Sequence, residues 1–123
     1  MNKNYFKLGI IGNPLSHSIS PILQDLALKN TNLAGSYEKF EVALENLPEL
    51  IEYFKNNNFV GFNVTIPYKI EILKFLDEIE SSAEKIGAVN TVKIKENKLF
   101  GYNTDIYGFV SPGFHTVLLK IQY

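Results

Sequence analysis

Three serines at alternate positions, Ser16, Ser18 and Ser20, stand before Pro21 in the run Gly12-Asn13-Pro14-Leu15-Ser16-His17-Ser18-Ile19-Ser20-Pro21. Ser20 suits the N-cap of a helix that begins at Pro21, a first position where the missing N–H costs nothing. One hydroxyl is enough for a cap. Ser16 and Ser18 are therefore available to a carboxylated or polyhydroxylated ligand, beside a helix terminus whose free N–H groups and dipole favour an anion. A capped turn without a ligand is the plainer reading of the same residues. His17 has no identified acid partner and reads as a structural hydrogen-bonding group rather than a base.

A second cluster is Asn63-Val64-Thr65-Ile66-Pro67-Tyr68-Lys69. Thr65 can cap a following helix, and Lys69 would then lie in its first turn, where the positive end of the dipole disfavours an ammonium. A lysine so placed either serves a purpose or is a harmless exposed charge. The third cluster joins Gly87-Ala88-Val89-Asn90-Thr91 to Gly101-Tyr102-Asn103-Thr104-Asp105. Asparagine and aspartate after a strand are ordinary turn formers. Yet the chain has only three aspartates, and Asp105 falls where strand ends should converge. Lys69 and Asp105 facing a pocket lined by hydroxyls would supply a proton donor and acceptor for alcohol or ketone chemistry.

Composition bounds what surrounds these residues. At 123 residues, 46% hydrophobic and 20% charged, the chain is long enough for one globular domain. Twelve basic residues against 13 acids leave a net charge of −1, which offers no long-range attraction to nucleic acid or an anionic membrane. All 12 bases are lysine, so no guanidinium can clamp an acid in bidentate fashion. There is no cysteine, and two histidines without an acidic motif make a poor metal site. No segment reads as a signal peptide or a membrane span, and the cytoplasm is the expected location.

The elements that must position the clusters follow from pattern. Tyr5 to Ile11 reads as a buried strand ending in a turn. A helix starting at Ser20-Pro21 and a strand over Ser36 to Val42 follow. Asn46 with Glu49 resembles a capping box for a helix on which Leu47, Leu50, Ile51 and Phe54 share one face, stopping in Asn56-Asn57-Asn58. Phe59 to Ile66 reads as a central strand, Tyr68 to Leu76 as a helix, and Ser81 to Ile86 as a short helix closed by Gly87. Ala88 to Ile94 and Lys98 to Tyr102 are strands joined by a hairpin across Lys95-Glu96-Asn97. The fold expected is α/β: a single three-layer domain, mostly parallel sheet with an antiparallel strand and helices on both faces. Ligands gather at the carboxyl ends of strands in such sheets, which is where the three clusters fall.

Taken in order and spacing, Gly12-Asn13-Pro14 with Ser18-Ile19-Ser20-Pro21, Asn63 to Lys69, Gly87 to Thr91 and Asn103-Thr104-Asp105 resemble the N-terminal, substrate-binding domain of shikimate dehydrogenase. The resemblance runs from Lys7 to about Phe109, which makes 1–109 the domain and 110–123 an unassigned tail. It implies reduction of 3-dehydroshikimate to shikimate with NADPH, in aromatic amino acid biosynthesis. It also implies that Ser18 and Ser20 hold the substrate carboxylate, that Thr65, Asn90 and Asp105 hydrogen-bond ring hydroxyls, and that Lys69 with Asp105 manages the proton. Gln24 departs from the family, which often has histidine there.

A dinucleotide site needs a glycine-rich strand-to-helix turn, and none of the eight glycines forms G-x-G-x-x-G. The expectation is therefore a substrate domain whose NADP-binding half is missing, unable to bind NADP or transfer hydride alone. Two alternatives remain open: a stand-alone shikimate or quinate binding module, and a self-associating structural domain that forms a homo-oligomer.

Overall fold

A computed structural model of the chain describes residues 5–15 and 34–103, with side chains from 7–15 and 36–103. The elements in order are β1 (Tyr5–Gly12), β2 (Ala34–Glu41), a 3-10 turn (Leu44–Asn46), α1 (Leu47–Asn56), β3 (Phe59–Val64) and a second 3-10 segment (Glu71–Phe75). Then come β4 (Glu78–Ile79), α2 (Ser81–Ile86), β5 (Thr91–Lys95) and β6 (Lys98–Tyr102). The six strands form one sheet in the order β2-β1-β3-β5-β6-β4.

β1 pairs in parallel with β2 and with β3, and β4 in parallel with β6; β5 is antiparallel to both β3 and β6. One strand, β5, thus runs against the other five. This is the mostly parallel α/β sheet with a reversed strand that the pattern predicts. The expected helix at Ser20-Pro21 and the tail 110–123 lie outside the described residues.

The core sits between the sheet and α1. Leu47, Ile51 and Phe54 on the inner face of α1 are buried, and Leu50 packs beside them, as the i, i+3, i+4, i+7 spacing requires. Phe54 meets Phe59 and Phe62 with ring centroids 4.7 and 4.8 Å apart, and Phe40 edge-on at 5.0 Å. Such contacts add to the burial of large rings. Gly9 passes under this cluster: a Cβ there would meet Phe40 and Phe54 at 3.2–3.3 Å. Leu8 and Ile10, on the opposite face of β1, are buried as well, so this central strand is covered on both sides.

Two local expectations change. Asn46 belongs to the 3-10 turn, with helical backbone angles and no side-chain cap, so the Asn46–Glu49 capping box does not form; Pro48 sits in the first turn of α1 instead. The segment Tyr68 to Leu76 is a 3-10 segment over Glu71–Phe75 rather than an α-helix. Leu76 is already extended (φ −91°, ψ 141°), because β6 captures the chain there: Asp77 N–H donates to Leu99 O (2.9 Å) and Leu99 N–H to Asp77 Oδ2 (2.8 Å). The two-residue β4 that results is too short to leave a pattern.

The last elements form where the sequence predicts, except that β5 covers Thr91–Lys95 rather than Ala88 to Ile94. α2 ends at Gly87, whose φ of 79° puts it in the left-handed region that glycine adopts without strain. The β5–β6 hairpin turns through Glu96 (φ 52°) and Asn97 (φ 65°), the paired positive φ of a type I′ turn. No helix among the described residues is long and apolar enough to cross a membrane.

Candidate functional site

Reversal of β5 brings its beginning to the edge of the sheet where β1, β3 and β6 end. The register is Ile10 beside Asn63, Asn63 opposite Thr91, and Thr91 opposite Tyr102. Backbone hydrogen bonds continue this edge past the strands: Val64 N–H donates to Asn90 O (2.8 Å), and Asn90 N–H donates to Tyr102 O (3.1 Å). Val89 N–H donates to Lys69 O (2.9 Å), which ties the turn carrying Lys69 to the residue before Asn90. Asn90, distant in sequence, is thereby gathered at one edge with Thr65 and Lys69.

The loops after β1, β2 and β3 are stitched to one another. Thr65 N–H donates to Ile11 O (2.9 Å), Asn13 N–H to Ile66 O (3.0 Å) and Val42 N–H to Gly12 O (3.3 Å). The Tyr68 hydroxyl donates to Val42 O. Leu15 N–H donates to the Glu41 carboxylate (2.8 Å), so the last residue of β2 holds the segment that leads into the serines. The Asn13–Pro14 and Ile66–Pro67 peptides are both cis.

Gly12 is needed where these loops cross. A Cβ on it would collide with the Thr65 methyl, and would lie 2.9 Å from Leu15 Cδ2 and 3.0 Å from Ile66 O. The space beside this glycine is filled by the protein's own atoms. It therefore forms no cradle for a pyrophosphate, and no G-x-G-x-x-G turn opens a helix in the chain. The described residues around Gly12 do not fit a dinucleotide's pyrophosphate.

Beneath the edge lies a buried polar network. The Tyr37 hydroxyl donates to Asn63 Oδ1 (2.6 Å), and Asn63 Nδ2 donates to Asn90 O (3.2 Å) and Thr91 Oγ1 (3.4 Å). The Thr91 hydroxyl in turn donates to Asn90 Oδ1 (2.9 Å). Asn103 is buried at the end of β6, with Nδ2 donating to Ala88 O (3.1 Å). Burial raises the Tyr37 phenol above its ordinary value and keeps it a neutral donor.

Of the residues that the sequence singles out, Thr65, Lys69 and Asn90 are brought together, whereas Ser16, His17, Ser18, Ser20 and Asp105 lie outside the described residues. Thr65 and Lys69 are partly buried, and Asn90 is buried. Because the 3-10 segment starts only at Glu71, Lys69 precedes it, and the helix-dipole argument for this lysine falls away. Its setting is a turn anchored through its own carbonyl. A hydroxyl, an ammonium and an amide at one edge can hold a ligand rich in hydroxyl or carbonyl oxygens.

Sequence reasoning missed Tyr37 and Glu41, and it passed over Asn63 and Thr91 as supports. An asparagine inside an otherwise apolar strand is a signal, because Asn is disfavoured in strands and must find partners when buried. Among the described residues, no group of three or more His, Cys, Asp or Glu side chains could hold a metal ion.

Comparison with known proteins agrees with this geometry. A family model described as the shikimate dehydrogenase substrate binding domain matches residues 10–92. A shikimate dehydrogenase (NADP(+)) of Clostridium beijerinckii is 52% identical over 101 residues, covering 82% of this chain and 37% of the relative. The shikimate 5-dehydrogenase of Thermus thermophilus, solved with NADP(H) and shikimate, superposes with a TM-score of 0.78 at 41% identity, over 85% of this chain and 40% of that one. The ligand-free 5-ketofructose reductase of Gluconobacter sp. strain CHM43 gives 0.81 at 32% identity, over 88% and 39%. The chain thus spans little more than a third of the curated relative's length. With the sheet and the matched span in agreement, the chain belongs to the shikimate dehydrogenase substrate-binding domain family.

Proposed function

We propose that this chain is the substrate side of an NADP-dependent shikimate dehydrogenase, and that its site binds shikimate and 3-dehydroshikimate. The observation that carries the reading is the convergence of Thr65, Lys69 and Asn90 on one sheet edge through the Val64–Asn90 and Lys69–Val89 backbone bonds. Thr65 and Asn90 hydrogen-bond ring hydroxyls, joined by Asp105. Ser18 and Ser20 hold the carboxylate, which is how a chain without arginine binds an acid. Lys69 gives a proton to, or with Asp105 takes it from, the oxygen on the reacting carbon. This assignment covers residues 1–109 and leaves 110–123 outside the domain.

The nucleotide is held by a domain other than these 123 residues, which by themselves bind substrate and do not oxidise it. Ile66 and Ile70, 70% and 65% exposed on either side of Lys69, support a second body closing over this edge.

Calorimetric titration of the chain with shikimate, quinate and 5-ketofructose tests the substrate. Saturable binding of shikimate ahead of the other two is the expected result, and preference for 5-ketofructose would replace the reading with that of a sugar-ketone site. Lys69→Ala, assayed with a nucleotide-binding domain supplied, should lower turnover about 10²- to 10⁴-fold with little change in affinity, the usual range for a positioned acid or base. NADP reduction by the unaided chain would overturn the division of labour.

A further inference from the structure

Resting on the reading of Asn90 as a ligand contact, we propose that Tyr37, Asn63 and Thr91 form a one-way chain of hydrogen bonds that sets the Asn90 amide with its nitrogen toward the ligand. The site then demands a lone pair, from a hydroxyl or carbonyl oxygen, at that point. Tyr37, Asn63 and Thr91 are positioning residues in this arrangement. They act through Asn90.

The direction of the chain is determined by a backbone carbonyl. Asn90 O lies 3.2 Å from the Asn63 amide and can only accept, so the group that Asn63 turns to it must be Nδ2. Asn63 Oδ1 therefore faces Tyr37 at 2.6 Å, and the phenol must donate. The second Nδ2 proton of Asn63 goes to Thr91 Oγ1, occupying a lone pair and leaving the threonine's own proton for Asn90 Oδ1 at 2.9 Å. Were the Asn90 amide reversed, the hydroxyl proton of Thr91, a residue with no exposed surface, would lose the acceptor it has among the described residues. With Oδ1 committed to Thr91, Nδ2 is the end of the amide turned away from it.

The network also joins three strands across the register that aligns Asn63 with Thr91, and Tyr37 reaches it from β2 past β1. All three positioning residues are held by strand pairing rather than by loops. Rigid elements suit a group whose orientation must be kept in the absence of ligand.

The test uses the 123-residue chain in three forms: wild type, Thr91→Val, which removes the hydroxyl at nearly constant shape, and Thr91→Ser, which restores it. In the ligand-free chain, the Tyr37 and Thr91 hydroxyl protons should be protected from solvent exchange and visible by NMR. Thr91→Val should reduce protection at Tyr37 by at most a few-fold while loosening the Asn90 side-chain amide. Shikimate affinity should fall about tenfold in Thr91→Val, the size of one ligand-facing hydrogen bond, and stay within about twofold of wild type in Thr91→Ser. Tyr37→Phe provides an independent variant and should weaken binding in the same direction. Unchanged affinity in Thr91→Val, or hydroxyl protons exchanging at the solvent rate in wild type, would overturn the proposal. If wild type itself fails to bind shikimate, the substrate reading falls, while nuclear Overhauser contacts placing the Asn90 amide protons toward or away from Thr91 still decide how the amide is set.

Discussion

Phe62 and Asn63 are neighbours in β3 and point to opposite faces of the sheet. Phe62 enters an aromatic cluster with Phe54, Phe59 and Phe40, where contact is spread over many carbon atoms and no single pair decides the arrangement. Asn63 enters a network in which both ends of its amide have named partners and each bond a direction. One face of the strand supplies stability through volume. The other supplies orientation through donors and acceptors, and it lies against the edge where Thr65, Lys69 and Asn90 meet. Damage to the first should change how much protein is folded, and damage to the second how well the folded protein binds.

The largest expected effect tests that separation from the apolar side. Phe54→Ala empties the centre of the cluster and should destabilise the chain by about 3–5 kcal/mol in urea unfolding, with shikimate affinity of the folded fraction unchanged. A parallel loss of affinity would mean that the two faces are not independent. Gly12→Ala strikes the seam between them. Its Cβ would collide with Thr65, Leu15 and the Ile66 carbonyl, and should cost about 1–3 kcal/mol while also weakening ligand binding.

Alkaline pH isolates the polar face. The folded state raises the Tyr37 phenol and so retains a proton that the unfolded chain releases near the ordinary tyrosine value of about 10. Stability is therefore complete below that pH and falls as pH rises above it, by about 1.4 kcal/mol per unit for this one group. Tyr37→Phe should remove that part of the slope, measured as the difference between the two unfolding curves at about pH 9 and about pH 11, on either side of the ordinary tyrosine value. The smallest effect lies on neither face. Lys74 and Glu71 form a 3.0 Å ion pair, but the lysine is 74% exposed, and Glu71→Gln should change stability by less than about 0.5 kcal/mol.

Much of the architecture is legible in the sequence because particular residues have few alternatives. Gly87 closes α2 in the left-handed region, and the apolar spacing of Leu47, Ile51 and Phe54 gives α1 its buried face. Glu96-Asn97 marks the hairpin that joins β5 to β6. What escapes local reading is decided at long range. The stretch from Tyr68 to Leu76 has a helical pattern, but β6 pulls Leu76 and Asp77 into the sheet before a helix can propagate. The site follows the same division. Thr65, Lys69 and Asn90 stand out as chemical types in turns, whereas Tyr37 reads as an ordinary strand aromatic until the register shows Asn63 within its reach.

Because β5 is the reversed strand, the hairpin at Glu96-Asn97 sits at the far edge of the sheet, five residues from Thr91 along one arm and five from Tyr102 along the other. Its length sets the register of β5 on β6, and so which residue of β6 stands opposite Thr91, the partner of Asn63. An insertion that let β5 slip by one position would turn Thr91 to the opposite face and bring Val92 or Asn90 into its place. The hairpin is thus a calibration point for the edge that holds Asn63 and Thr91, placed on exposed residues at the other end of β5. A probe attached at Glu96 or Asn97 without changing the turn length would report on the site's alignment from a distance, and a single added residue there would detune recognition while leaving every contact residue in the sequence intact.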